Sequence, residues 1–156
     1  MRGALLSGSG VRRLKTSELV GGRPLRRKRI LVVDDEVYIV HILEFSLSME
    51  GYEVLTAFDG EEALQVVEEN SPDLIVLDIM MPKIDGYEVC RHLRSEERFA
   101  DIPIILLSAK GRPIDREEGM KAGANDYITK PFRPRKLLEK IEELLSEADQ
   151  GQVANL

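Results

Sequence analysis

Five positions in this chain place a polar residue where a short apolar run ends. Asp34 and Asp35 follow Ile30-Leu31-Val32-Val33, and Asp78 follows Leu74-Ile75-Val76-Leu77. Ser108 follows Ile104-Ile105-Leu106-Leu107, and Lys130 follows Tyr127-Ile128-Thr129. Three carboxylates brought together repel one another, which is relieved by a raised pKa on one of them or by a bound hard cation. Oxygen donors without thiol or imidazole suit Mg²⁺ better than zinc. The chain has a single cysteine, Cys90, which rules out an all-cysteine metal site, and only two histidines, His41 and His92, which leave little room for a histidine-rich zinc centre. Mg²⁺ keeps several waters and is commonly completed by phosphate oxygens. A lysine and a hydroxyl beside it would hold an anion. Carboxylates, Mg²⁺ and lysine without a histidine base suit phosphoryl transfer, in which positioning and charge neutralisation do most of the catalysis. The acceptor would be an aspartate, giving an acyl phosphate. There is no GxxxxGK[ST] cradle, so binding of ATP itself is not expected.

These residues meet only if the apolar runs lie side by side, and the intervening segments show how. Ile39, Ile42, Leu43 and Leu47 have helical spacing up to Gly51, and Tyr52–Leu55 reads as a second strand. Asp59 and Glu62 have capping-box spacing at the start of a helix carrying Ala63, Leu64 and Val67, which Ser71-Pro72 stops. Asp85 and Glu88 repeat that signature before Tyr87, Val89, Cys90 and Leu93. The fourth strand reads from Ile102 to Leu107. Pro113 opens a fourth helix that closes around Gly123, and Tyr127–Thr129 is a fifth strand. Pro134 opens a last helix with Leu137, Leu138, Ile141, Leu144 and Leu145 on one stripe, ending near Ser146. Strand runs that are apolar throughout are expected where helices cover both faces of a parallel sheet. Right-handed crossovers then give a doubly wound α/β/α three-layer sandwich. Its functional groups collect beyond the carboxyl ends of the strands, where the strand order reverses. The chain is too short for an eightfold barrel, which needs about 200 residues.

Four stretches together resemble the receiver domain of two-component response regulators. They are Val32-Val33-Asp34-Asp35-Glu36, Leu77–Gly86, Leu107-Ser108-Ala109-Lys110 and Gly123–Phe132, and the resemblance covers 29–147. It implies a CheY-like, flavodoxin-like α/β fold, a five-stranded parallel sheet in the order 2-1-3-4-5. It implies that Asp78 accepts a phosphoryl group from a sensor histidine kinase or a phosphotransfer protein. Asp35 would be a direct Mg²⁺ ligand and Asp34 would act largely through water, with Asp78 and the backbone carbonyl of Met80 completing the set. Lys130 and Ser108 would reach the phosphoryl group. Ser108 and Tyr127 would form a switch in which the ring turns inward as the hydroxyl moves. The Lys130-Pro131 bond would be cis. The surface from about Arg112 to Leu145 would change shape and select a downstream protein. Met80 and Lys110, two beyond the acceptor and two beyond the hydroxyl, place no water-orienting carboxylate or amide, which predicts slow self-hydrolysis. The plainer readings are a helix cap for Ser108 and simple packing for Tyr127. His41 and His92 are expected on helix surfaces, and Cys90 in the core.

Charge divides the chain. Residues 1–29 hold nine Lys/Arg against one acid, Glu18, within a total net charge of −6. A flexible basic extension is expected over 1–28, and a short tail over 148–156. The plainer reading of the arm is a leader. The sharper one is electrostatic contact with nucleic acid or another anionic partner, and it is the weaker of the two because basic runs are poor motifs. No apolar run reaches 18 residues, so no membrane-spanning helix is expected, and the expected location is cytoplasmic. The segment after Ser146 is too short for an output module. The first reading is therefore a stand-alone, non-enzymatic receiver, with homodimerisation open. The second is a piece of a transcription factor, the third a Mg²⁺-dependent phosphohydrolase on the same fold, and the fourth a non-phosphorylated scaffold.

Overall fold

In the computed structural model, residues 26–151 are described in full, the last helix is followed to Ala154, and four dipeptides of the arm are described as backbone. Leu6–Ser7 pairs antiparallel with Gly10–Val11, and Leu19–Val20 with Arg23–Pro24. Otherwise the flexible arm expected over 1–28 lies largely outside the described residues.

Five strands, β1 (Arg29–Val33), β2 (Glu53–Ala57), β3 (Leu74–Asp78), β4 (Ile104–Ser108) and β5 (Asp126–Thr129), form one sheet in the order β2-β1-β3-β4-β5. All four pairings are parallel. The helices between and after them are α1 (Val37–Met49), α2 (Gly60–Asn70), α3 (Gly86–Ser95), α4 (Pro113–Ala122) and α5 (Pro134–Ala154). This is the flavodoxin-like order 2-1-3-4-5, with β1 and β3 flanking the point where the winding reverses.

The sheet has two cores because successive side chains point to opposite faces. Leu31, Val33, Ile75, Leu77, Ile104 and Leu106 pack with the buried faces of α2 and α3. Ile30, Val32, Leu74, Val76, Ile105 and Leu107 pack with α1 and α5. Both faces being covered explains why these strands carry no polar alternation. Asp59 and Asp85 cap α2 and α3, accepting hydrogen bonds from the Glu62 and Glu88 amides at 2.8 and 2.9 Å. His41 and His92 are exposed, and Cys90 is fully buried.

Three details differ from the sequence reading. On α1 the inward stripe is Val40, Leu43 and Leu47, whereas Ile42 is exposed. Four candidate apolar positions lie within one turn of each other there, and periodicity alone does not choose the rotation. Strand β4 begins at Ile104, not Ile102, since Pro103 has no amide to donate to the ladder. Helix α5 continues past Ser146 to Ala154, through much of the stretch expected as a tail. Glu147, Ala148, Asp149 and Gln150 contain nothing that stops a helix.

Candidate functional site

The register of the sheet assembles the site. Val33 pairs with Leu77, Asp78 with Leu107, and Ser108 with Thr129, so the carboxyl ends of β1, β3, β4 and β5 lie at one level. Two backbone bonds extend the order past the strand ends: Ile79 donates to the Leu107 carbonyl at 3.0 Å, and Lys130 to the Ser108 carbonyl at 2.7 Å. The Lys130-Pro131 bond is cis. The start of α3 closes onto the same edge. The Gly86 amide donates to the Ile79 carbonyl at 2.9 Å, and a Cβ at Gly86 would lie 2.6 Å from the Asp78 carbonyl oxygen. Only a residue without a side chain permits this approach.

One carboxylate oxygen from each of Asp34, Asp35 and Asp78 lies within 4.8 Å of the others. Asp34 and Asp78 are buried, and Asp35 is exposed. The Lys130 ammonium reaches across them, 2.8 Å from Asp34 Oδ2, 3.2 Å from Asp78 Oδ1 and 3.5 Å from Glu36 Oε1. The other oxygen of Asp34 accepts from the Glu36 amide at 2.9 Å. Burial, and then the negative charge of Asp34, push the Asp78 carboxyl up to about 6, with Lys130 opposing them. Burial likewise raises Asp34. Burial works against the Lys130 charge, but hydrogen bonding to Asp34 and the charge of Asp78 outweigh it and raise the ammonium. Three oxygen donors, two of them desolvated beside one lysine, fit a hard divalent cation such as Mg²⁺ and offer nothing to a soft one.

Ser108 is fully buried, and its Oγ accepts from the Lys110 amide at 3.0 Å. Met80 has an exposed side chain, so any part it plays toward a cation rests on its carbonyl. Tyr127 packs inward. The ring is 3% exposed, and its hydroxyl donates to the Lys110 carbonyl at 2.6 Å while Ser108 is bonded to Lys110. The space comes from α4, where Gly119 faces the ring: a Cβ there would lie 3.0 Å from Tyr127 Cδ2.

The sequence reading missed Glu36, a third partner of Lys130, whose pKa is lowered first by hydrogen bonding from Tyr38. It also missed Asp115, a buried acid in α4 that accepts from Arg112 Nε and Nη2 at 3.0 and 3.1 Å. Its spacing from Arg112, three residues, was the available signal.

Residues 30–142 match the family model of the response regulator receiver domain. The chain belongs to that family. The receiver is 54% identical over 125 residues to the protein named "Probable transcriptional regulator ycf27" of Cyanophora paradoxa, covering 80% of this chain and 51% of that one. It is 48% identical over 122 residues to the alkaline phosphatase synthesis transcriptional regulatory protein PhoP of Bacillus subtilis (strain 168), covering 78% and 50%. The chain thus spans about half the length of these relatives. Among solved structures, a CheY-like response regulator receiver domain protein from Methanospirillum hungatei JF-1 superposes with a TM-score of 0.76 at 33% identity, covering 81% of this chain and 99% of that one. The Francisella response regulator 1452 receiver domain gives 0.74 at 34% identity, covering 78% and 99%.

Proposed function

We propose that this receiver takes a phosphoryl group from a histidine of a sensor kinase or phosphotransfer protein onto Asp78, and that the face formed by α4, β5 and α5 then selects a downstream protein. The observation that carries this reading is Asp78 itself: a buried carboxylate at the centre of the acidic cluster, 3.2 Å from Lys130. With its pKa pushed up to about 6, Asp78 is still ionised at neutral pH and is a more basic nucleophile than a solvated aspartate. One Asp78 oxygen forms the bond to phosphorus as the P–N bond to the donor histidine breaks, and the departing imidazole nitrogen takes up a proton. Asp34, Asp35 and Asp78, with the Met80 carbonyl, would hold Mg²⁺, which would neutralise charge on the phosphoryl oxygens. Lys130, already beside the acceptor, supplies a fixed positive charge to the same oxygens. Ser108 lies on the neighbouring strand and can turn its hydroxyl toward them by leaving the Lys110 amide. Such a reading places the protein in the cytoplasm. No helix among the described residues is long and apolar enough to cross a membrane.

Acetyl phosphate or a radiolabelled phosphohistidine donor tests the acceptor. The full chain is expected to incorporate one phosphoryl group, and to lose that capacity with Asp78→Asn or on chelation of divalent ions. Label retained by Asp78→Asn refutes the assignment. The phosphorylated form should outlast seconds at 25 °C, because exposed Met80 and Lys110 offer no side-chain acceptor to orient water. Decay within seconds would contradict this. A second reading is favoured by relatives named as transcriptional regulators, the two described above each being about twice the matched length. On that reading the switched face controls a DNA-binding module.

A further inference from the structure

Helix α4 is seated unlike the others. Its buried residues are Asp115, Gly119 and Ala122, while its larger apolar side chains, Ile114 and Met120, are exposed. A helix with no large side chain beneath it has little apolar burial to hold it. Two aromatic rings fill the space instead, Tyr127 from β5 and Tyr87 from α3, and both are buried. The Tyr127 hydroxyl donates to the Lys110 carbonyl just before the helix. The Tyr87 hydroxyl donates to the Asp115 carbonyl in its first turn at 3.2 Å. Burial, followed by the adjacent Tyr127 hydroxyl, raises the Tyr87 pKa, so Tyr87 remains a neutral donor. Arg112 closes the same turn by gripping the Asp115 carboxylate.

We propose that Tyr87 is a positioning residue for the output face: its hydroxyl latches the first turn of α4 to α3, over the inward ring of Tyr127. The latch joins α3, which follows the Asp78 loop directly, to the helix whose position the partner would sense. Its regulatory use rests on Asp78 being the acceptor. The latch itself does not, because it is made by Tyr87 and α4 alone. Gly119 is the other half of the device, since a Cβ there would lie 3.0 Å from both Tyr127 Cδ2 and Leu106 Cδ1. The helix therefore sits low only while residue 119 has no side chain and Tyr87 holds the first turn.

Amide hydrogen exchange of the full chain separates this from simple packing. Tyr87→Phe keeps the ring and removes the hydroxyl. Exchange in 113–118 should accelerate about fivefold, the factor for one net hydrogen bond, with the amides of β1 and β3 unchanged. Unchanged exchange in α4 overturns the latch. Gly119→Ala gives a second, independent reading, because the two explanations differ in sign. Helix propensity alone would slow exchange in α4, whereas a lifted helix exchanges faster. Slower exchange in Gly119→Ala also overturns the proposal. Beryllofluoride, a phosphoryl mimic, is the third probe. It should alter α4 exchange in the unsubstituted protein, and Tyr87→Phe should shift its half-saturation several-fold. The same half-saturation in both proteins removes the link to the switch. No response at all in the unsubstituted protein overturns the Asp78 reading, and the latch is then judged by the two exchange measurements.

Discussion

At Asp78 the same burial that raises the carboxyl's proton affinity works against the folded state. Its pKa is about 6 in the folded protein against the ordinary 3.8, so the native state holds a proton more tightly than the unfolded chain does. The stabilisation from that proton is complete below 3.8, declines as pH rises from 3.8 to 6, and is gone above 6. At pH 7 the ionised group therefore destabilises the fold by up to about 3 kcal/mol relative to a solvated aspartate, at 1.36 kcal/mol per unit. Asp78→Asn removes this penalty and leaves Lys130 its shorter contact to Asp34. The expected result, with chelator present, is a urea midpoint above that of the unsubstituted protein at pH 7, the gain shrinking to nothing near pH 3.5. A gain that does not depend on pH would mean that something other than ionisation is responsible. A bound cation opposes this penalty, since it favours the charged carboxylates, so the two proteins should converge at pH 7 as Mg²⁺ is added.

The same loop that carries Asp78 is fixed at its far end by the cap of α3. Asp85 accepts from the Glu88 amide, and next to it the Gly86 amide holds the Ile79 carbonyl. Replacing Asp85 by alanine should lower stability by about 1 kcal/mol and slow phosphoryl uptake. Measuring both identifies the role: lost stability with unchanged uptake would show that the cap serves the helix alone. The cap was legible in the sequence because Asp, Gly and Glu at that spacing have few other uses. So were the strands and the residues ending them, since a polar group terminating an apolar run is what a strand's carboxyl end looks like. The rotation of α1 was not legible, because Ile39, Val40, Ile42 and Leu43 are all apolar and only packing decides among them. The underside of α4 was hidden for the opposite reason: Asp115, Gly119 and Ala122 give no apolar stripe. In the site, the sequence brought Lys130 to an anion. It did not reveal that Asp34 and Glu36, two positions apart in sequence, would also compete for that ammonium.

Over the whole molecule, a basic segment meets an acidic body at the amino ends of the strands, opposite the site. Lys28 contacts Asp149 on the extended part of α5 at 2.9 Å, and Arg29 contacts Glu53 at 3.0 Å. Arg26 reaches both oxygens of Asp73, at 2.9 and 3.2 Å. These are exposed pairs, each contributing from nothing to about 1 kcal/mol, and less as salt is added. Asp73 is different, because one of its oxygens also accepts from the Arg29 amide at 2.7 Å and its own amide donates to the Arg29 carbonyl at 2.8 Å. It therefore joins the chain entering β1 to the chain entering β3, with or without the guanidinium. Asp73→Ala should destabilise the protein by about 1 to 2 kcal/mol through the unsatisfied Arg29 amide, nearly independently of salt. Arg26→Ala should cost less than about 1 kcal/mol, and that difference should fade in high salt. Urea unfolding of both variants at low and high ionic strength decides the matter. If the two losses are equal and both vanish with salt, charge attraction alone joins the basic segment to the body, and the backbone bond at Asp73 contributes nothing to the fold.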